Sequence, residues 1–204
     1  VKLLKIMIDI LEKKLGNPVG KQQKKKQIIL THTSRDIEEY LMSLKYRMNG
    51  KYQRIPNYII TKSGKIIQTL SDAQYSNYFS QIDYNRNSII VSFENLGWLE
   101  RVQLKDYHIN WIGNIYSGVP YERKWRDYFL WDPYTDIQLK TAAELCINLV
   151  NKHKIELKCI GHNTKVSGPN KYGGIITRAN FDSKYTDVSP SFNFETFNKY
   201  LKNE

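Results

Sequence analysis

Ile28-Ile29-Leu30-Thr31-His32-Thr33 places three large apolar side chains in a row shortly before a histidine. A short unbroken apolar run suits a strand covered on both faces, and such a strand would carry His32 to the rim of a sheet. Ser88-Ile89-Ile90-Val91-Ser92-Phe93-Glu94-Asn95 reads the same way, as a second central strand. Ile155 to Ile160 is a third strand-like run, followed by Gly161-His162. Helical patterns lie between these runs, so the chain reads as α/β.

Two of those helices announce their starts. Thr33-Ser34-Arg35-Asp36 and Thr135-Asp136-Ile137-Gln138 both have capping-box form. The first predicts a helix with Ile37, Tyr40, Leu41, Leu44 and Met48 as its buried stripe, ending near Asn49-Gly50. The second predicts a helix to about Lys152 that turns Leu139, Ala142, Ala143, Cys146, Leu149 and Val150 inward. Tyr58 to Ile60 and Lys65 to Gln68, joined by Lys62-Ser63-Gly64, read as a hairpin. Phe194, Phe197 and Leu201 suggest a short closing helix. At the start, Leu3, Leu4, Met7, Ile8, Ile10 and Leu11 recur near helical spacing and predict an N-terminal amphipathic helix, stopped by Gly16-Asn17-Pro18. Residues 1–26 then form this helix and a basic linker, and 27–204 one domain with an insertion around 98–131.

Length and composition narrow the class. At 204 residues with 41% hydrophobic content, the chain can bury a sizeable core. The net charge of +11 points to an anionic partner or a very soluble surface. Nucleic acid is the general expectation for such a charge. The lysine-rich segment Gly20 to Lys26 nevertheless lacks the interleaved aromatics that stack on bases. No stretch approaches the ~20 apolar residues of a membrane span, and Lys5, Asp9 and Glu12 interrupt the opening apolar run that a secretory signal would need. Cys146 and Cys159 read as buried free thiols. Ser71 to Arg86, rich in Tyr and Asn, reads as a loop. Trp111, Trp125 and Trp131 sit among Tyr107, Tyr116, Tyr121 and Tyr128, with Arg123, Lys124 and Arg126 nearby. Such residues could line a glycan or peptide groove or pack an inserted subdomain, and both readings stay open. His108 and His153 match no ligand pattern and read as surface residues. Gly168-Pro169 and Gly173-Gly174 mark a long loop running to Asp187, with Arg178 inside it.

His32, His162 and Asp187 could together hold one zinc ion with its fourth position open, the composition of a catalytic site. Their spacing alone fits no local metal motif. The order of features carries more: the strand ending in His32, the hairpin Asn57 to Gln68, the strand Ser88 to Asn95, Gly161-His162, and Thr186-Asp187-Val188-Ser189-Pro190-Ser191-Phe192. In that order, from about Gln27 to Phe192, the chain resembles the zinc-dependent N-acetylmuramoyl-L-alanine amidases, the family of phage amidase lysozymes and, more distantly, animal peptidoglycan recognition proteins. The resemblance implies a mixed central sheet flanked by helices and His32, His162 and Asp187 as ligands of Zn2+. It also implies hydrolysis of the amide between N-acetylmuramic acid and L-alanine, with peptidoglycan, and with it anionic wall polymers, as partners. The site of action would be the bacterial cell wall, reached through a phage lysis system, a virion or another export route. The last segment resembles the family's Thr-Asp-Pro-Gly-Pro-x-Phe. In that family the region matching Ser71 to Arg86 borders the substrate groove, which implies a groove wall here, with an ordinary surface loop as the alternative.

The departures are specific. Ser92 stands where the family has its catalytic Glu, and Glu94 lies two residues on, so that on a regular strand it would share that face and serve as the base. Pro56 replaces a Tyr that some members place before the hairpin strand. Tyr185, with Lys184 beside it, stands where many have a Lys and would stabilise the oxyanion. The interval from His162 to Asp187 is longer than the family's. A wall-binding module with impaired catalysis is therefore the alternative, and a basic nucleic-acid-binding domain the third reading.

Overall fold

The computed structural model describes residues 10–13, 15, 18–22, 24–161, 164–168 and 172–202. Its centre is a six-stranded mixed sheet built from β1 (Ile10–Glu12), β3 (Gln27–His32), β4 (Tyr58–Ile60), β5 (Ile66–Gln68), β7 (Ser88–Phe93) and β13 (Gly174–Thr177), in the order β1-β5-β4-β7-β3-β13. The apolar runs that predicted central strands occupy its middle: β3 lies parallel to β7 with Ile28 opposite Ile89 and Leu30 opposite Val91. The hairpin β4–β5 is antiparallel, and Gly64 at its turn has φ +79°, a conformation that favours glycine.

Strand alternation divides the core into two layers. Ile28, Leu30, Ile89, Val91 and Phe93 face α3 (Asp136–His153) and α4 (Phe194–Lys202), where Leu139, Ala142, Cys146, Leu149 and Phe197 close the layer. On the other face, Ile59 and Ile67 meet Tyr40 and Leu44 of α1 (Ile37–Tyr46). Ile29, Ile90 and Ile176 meet Tyr78 and Phe79 from the 71–87 region. Each such side chain, fully buried, contributes on the order of 2 kcal/mol. The capping box of α3 forms as predicted: Thr135 Oγ1 accepts from Gln138 N at 3.2 Å and Gln138 Oε1 from Thr135 N at 3.1 Å. Both cysteines are free, Cys146 buried and Cys159 half-buried.

Residues Trp98–Trp131 build a second, antiparallel sheet. Its order is β10-β9-β8-β12-β11, from β8 (Trp98–Arg101), β9 (His108–Asn110), β10 (Ile115–Tyr116), β11 (Tyr121–Trp125) and β12 (Tyr128–Trp131). Fully buried Asp132 fastens this sheet to the main domain. Its carboxylate accepts from Leu96 N at 2.7 Å and Lys62 Nζ at 2.6 Å, and its carbonyl from Asn95 Nδ2 at 2.9 Å. A small antiparallel pair joins β2 (Gly20–Lys21) to β6 (Gln74–Tyr75), and α2 (Ile82–Asn87) leads into β7.

Several expectations are corrected. Ile10 and Leu11 belong to an edge strand parallel to β5, not to a helix; the rest of the predicted N-terminal helix up to residue 9 lies outside the described residues. In α1 the cap is Asp36, whose side chain accepts from Glu39 N at 2.9 Å, and the helix ends at Tyr46, leaving Met48 66% exposed. The run Ile155 to Ile160 contributes one parallel bridge, Cys159 to Ile175, and the fully formed edge strand is β13, inside the predicted loop. The polar 71–87 region holds β6 and α2 and buries Tyr75, Tyr78 and Asn85. His153 is not a free surface residue, since its Nε2 lies 3.0 Å from buried Asp72.

Candidate active site

The parallel strands β3 and β7 end on one side of the sheet, and the candidate site lies beyond those ends. β3 delivers His32 there, partly buried and in register with Phe93. Its Nδ1 sits 3.3 Å from the Tyr134 hydroxyl. Gly97, at φ +81°, lies against the ring, and a Cβ at that position would come within 3.0 Å of Nε2; a side chain there would collide with the imidazole. Burial holds the His32 imidazole below its ordinary pKa, with the Asp187 carboxylate pulling the other way and Arg178 adding to the lowering.

Asp187 arrives from the opposite direction. After β13, a short 3-10 turn (Arg178–Asn180) is tied back to it, Ala179 N donating to the Asp187 carbonyl at 2.7 Å. Arg126, from the second sheet, donates to the Tyr185 carbonyl and, at 3.4 Å, to the Ala179 carbonyl. These bonds hold Asp187, 3% exposed, beside the cavity that His32 also lines. The cavity measures about 420 Å³. Tyr185 and exposed Lys184 line it too, and the Arg178 guanidinium covers the Tyr185 ring at 3.1 Å. The carboxylates and cations that line it are unequal: Asp187 against Arg35, Arg47, Arg54, Arg178 and Lys184.

Two of the three expected ligands therefore share one cavity, and His162 lies outside the described residues. Their chemistry fits zinc, an imidazole held in its neutral form and a buried carboxylate. Among the described residues, no group of three His, Cys, Asp or Glu comes together.

Glu94 is elsewhere. Its carboxylate is held at the start of α1 and at the β4–β5 turn by two backbone amides. Oε1 accepts from Ile37 N at 3.0 Å and Oε2 from Lys62 N at 2.7 Å. It lines a separate cavity of about 190 Å³ with Lys62 and Asp132, so its expected place at the metal is corrected to an anchoring role. Ser92 is fully buried.

Sequence reasoning overlooked Arg35, Arg47, Arg54 and Tyr40, whose helical or loop settings gave no signal of a shared cavity; Tyr78, from the segment expected to border the groove, does line it. A second, strongly basic cavity of about 730 Å³ lies at the other ends of β3 and β13. Lys24, Lys25, Lys26, Lys152 and Lys154 line it.

Fold and site together define an α/β enzyme with its cleft beyond the carboxyl ends of parallel strands. The sequence profile of the N-acetylmuramoyl-L-alanine amidase family matches residues 21–173, and the chain belongs to that family of peptidoglycan amidases. Solved structures share the fold. The N-acetylmuramoyl-L-alanine amidase LysC from Clostridium intestinale is 14% identical, with a TM-score of 0.55 over 95% of this chain and 97% of that one. The hydrolase AmiA from Staphylococcus aureus, in complex with its ligand, is 12% identical, with a TM-score of 0.54 over 95% and 81%. The amidase AmiD from E. coli, in complex with anhydro-N-acetylmuramic acid-L-Ala-D-gamma-Glu-L-Lys, is 15% identical, with a TM-score of 0.51 over 89% and 59%. Compared by sequence with curated proteins, the chain has no significant match.

Proposed function

We propose that the chain hydrolyses the amide between the lactyl group of N-acetylmuramic acid and L-alanine, with His32, His162 and Asp187 holding Zn2+. The observation that carries this reading is the meeting of His32 and Asp187 at one cavity from separate ends of the chain. Zinc bound there would supply Lewis acidity toward the scissile carbonyl and bound water. The chain's own residues do the rest. The Tyr134 hydroxyl and the bare backbone of Gly97 set the orientation of the His32 ring. Lys184 and Tyr185, which line the cavity, would face the negative charge that develops on the carbonyl oxygen. Arg35, Arg47 and Arg54 give the cavity a charge suited to the carboxylates of a stem peptide.

The place of action would be the bacterial cell wall. Anionic wall polymers are a natural second partner for the lysine-lined cavity, where no carboxylate pairs with Lys24, Lys26 or Lys154 among the described residues.

His162→Ala is expected to abolish both zinc retention and release of L-alanine-terminated peptide from purified wall. Full activity in a metal-free sample would end the proposal. One observation favours a second reading, a wall-binding module with impaired catalysis: the Glu94 carboxylate is committed to backbone amides, and Ser92 is read at the family's Glu position. Wall binding without peptide release separates the two.

A further inference from the structure

The second sheet brings aromatic rings to the mouth of the cavity. Trp98 of β8 and Tyr128 of β12 stack with centroids 4.4 Å apart and planes inclined by 16°. Both line the cavity that holds His32 and Asp187, and Trp111 lines it from the β9–β10 turn. Other aromatics of this sheet have structural work: Trp131 is fully buried and donates from Nε1 to the Arg123 carbonyl at 2.7 Å, with Trp125 packed against it. Trp111 is different, being 57% exposed.

The backbone that carries this exposed indole is held in place. Its neighbour Asn110, 3% exposed, donates to the Ser34 carbonyl at 2.8 Å and to the Leu96 carbonyl at 3.2 Å. The Asn110 Oδ1 accepts from Asn114 N at 2.9 Å and Ile112 N at 3.2 Å, and Gly113 closes the turn at φ +86°. A large apolar ring exposed on an anchored backbone is pre-organised for a flat partner. Arg35, Arg47 and Arg54 line the same cavity. The cavity thus offers aromatic rings, which match the C–H face of a pyranose, and cations, which match carboxylates.

We propose that Trp111, with the Trp98–Tyr128 stack, forms a subsite for sugars of the glycan strand, so that the enzyme takes polymeric peptidoglycan in preference to a soluble muropeptide. This rests on the amidase reading of the same cavity. The scissile amide joins sugar to peptide, so a glycan resting on the rings leaves the stem within the same cavity, where its carboxylates meet cations.

The test compares wild type, Trp111→Ala and Trp111→Phe. Calorimetric binding to peptide-free glycan strands needs no hydrolysis. Kinetics on intact wall and on a monomeric muropeptide complete it. Trp111→Ala is expected to weaken glycan binding about tenfold, as loss of roughly half an indole's contact would. It should raise KM on intact wall far more than on the monomer, with Phe recovering most of the loss. Equal glycan affinity of wild type and Trp111→Ala, or equal losses on wall and monomer, would overturn the subsite. Glycan binding that needs Trp111, found with no peptide release by wild type, would overturn the amidase reading and leave the subsite standing.

Discussion

Glu94→Ala separates an anchor from a catalyst. The carboxylate joins three elements: it sits at the end of β7, accepts from the first amide of α1 and accepts from Lys62 N at the β4–β5 turn. Bonds from amides to a charged acceptor are worth roughly 1.5–3 kcal/mol each. A negative charge at a helix N-terminus adds about 0.5 kcal/mol. Partial exposure of the side chain discounts the sum, which leaves a loss of about 3 kcal/mol for Glu94→Ala. In a chain of this size that lowers the melting temperature by roughly 6–12 °C. Glu94→Gln keeps an acceptor oxygen for one amide, so it should lose about 1–2 kcal/mol. The assay is thermal unfolding of the three proteins, paired with peptide release measured well below the lowest transition. An anchoring role predicts a graded loss of stability with turnover retained in both variants. Wild-type melting temperature together with abolished turnover in Glu94→Ala would refute it and return Glu94 to the chemistry.

Other expectations follow from the same contacts. Asp72 is 4% exposed and accepts from Lys152 Nζ at 2.6 Å, His153 Nε2 at 3.0 Å and the Tyr58 hydroxyl. Burial alone would raise its pKa, but these three partners outweigh burial and hold it below the ordinary value. A depressed carboxylate stabilises the fold above its unfolded pKa of about 4. That contribution is lost as pH falls through the lower folded value, so melting curves between about pH 2 and 5 should show a drop that Asp72→Asn lacks. Phe197, fully buried against Phe192 with ring centroids 5.2 Å apart, should cost about 3–5 kcal/mol when replaced by Ala, measured by denaturant unfolding. Replacing Lys24, Lys26 and Lys154 together by Gln should weaken retention on walls rich in phosphodiester polymer and flatten its salt dependence. Unchanged retention would remove that cavity as a polymer contact.

The local sequence carried the central strands because Ile28 to Leu30 and Ile89 to Val91 are buried on both faces, and no helix needs that pattern. It carried α3 because its cap and inner stripe are both local. It misread Ile10 and Leu11, whose state is decided by Ile66 and Ile67 far along the chain. The same holds for Lys25. A lysine in a basic run reads as solvated, yet this one is 2% exposed and donates to the Arg86 carbonyl at 3.0 Å, with a pKa lowered to about 8, chiefly by burial. Gly173-Gly174 read as loop markers, but Gly174 opens β13. A Cβ there would meet the Lys158 carbonyl at 2.7 Å, so close approach of two backbones explains the glycine. That His32 and Asp187 share one cavity agrees with the order of family features. The arginines were not legible, because Arg35, Arg47 and Arg54 meet the cavity only through the packing of α1 and the chain on either side of it.

On the reading that Ser92 stands at the family's Glu position, the charge of the cavity takes on a definite chemical meaning. In a family site with a carboxylate base, one group removes a proton from water. Here the cavity's five basic side chains face the single carboxylate of Asp187, which the proposal already uses as a ligand. Tyr78 and Tyr134 do not fill the gap, since burial raises the pKa of both phenols and keeps them as neutral donors near neutral pH. A water in this cleft would lie in a net positive field, which favours hydroxide over water without a dedicated base. Hydrolysis that depends on that field should accelerate with rising pH rather than follow the bell of an acid–base pair. It should also weaken when the arginines are neutralised, because they serve the nucleophile as well as the stem peptide. On that reading basic charge stands in the place of a carboxylate, and a bell-shaped profile with an acidic limb near ordinary carboxylate pKa values would require a base from outside the described cavity.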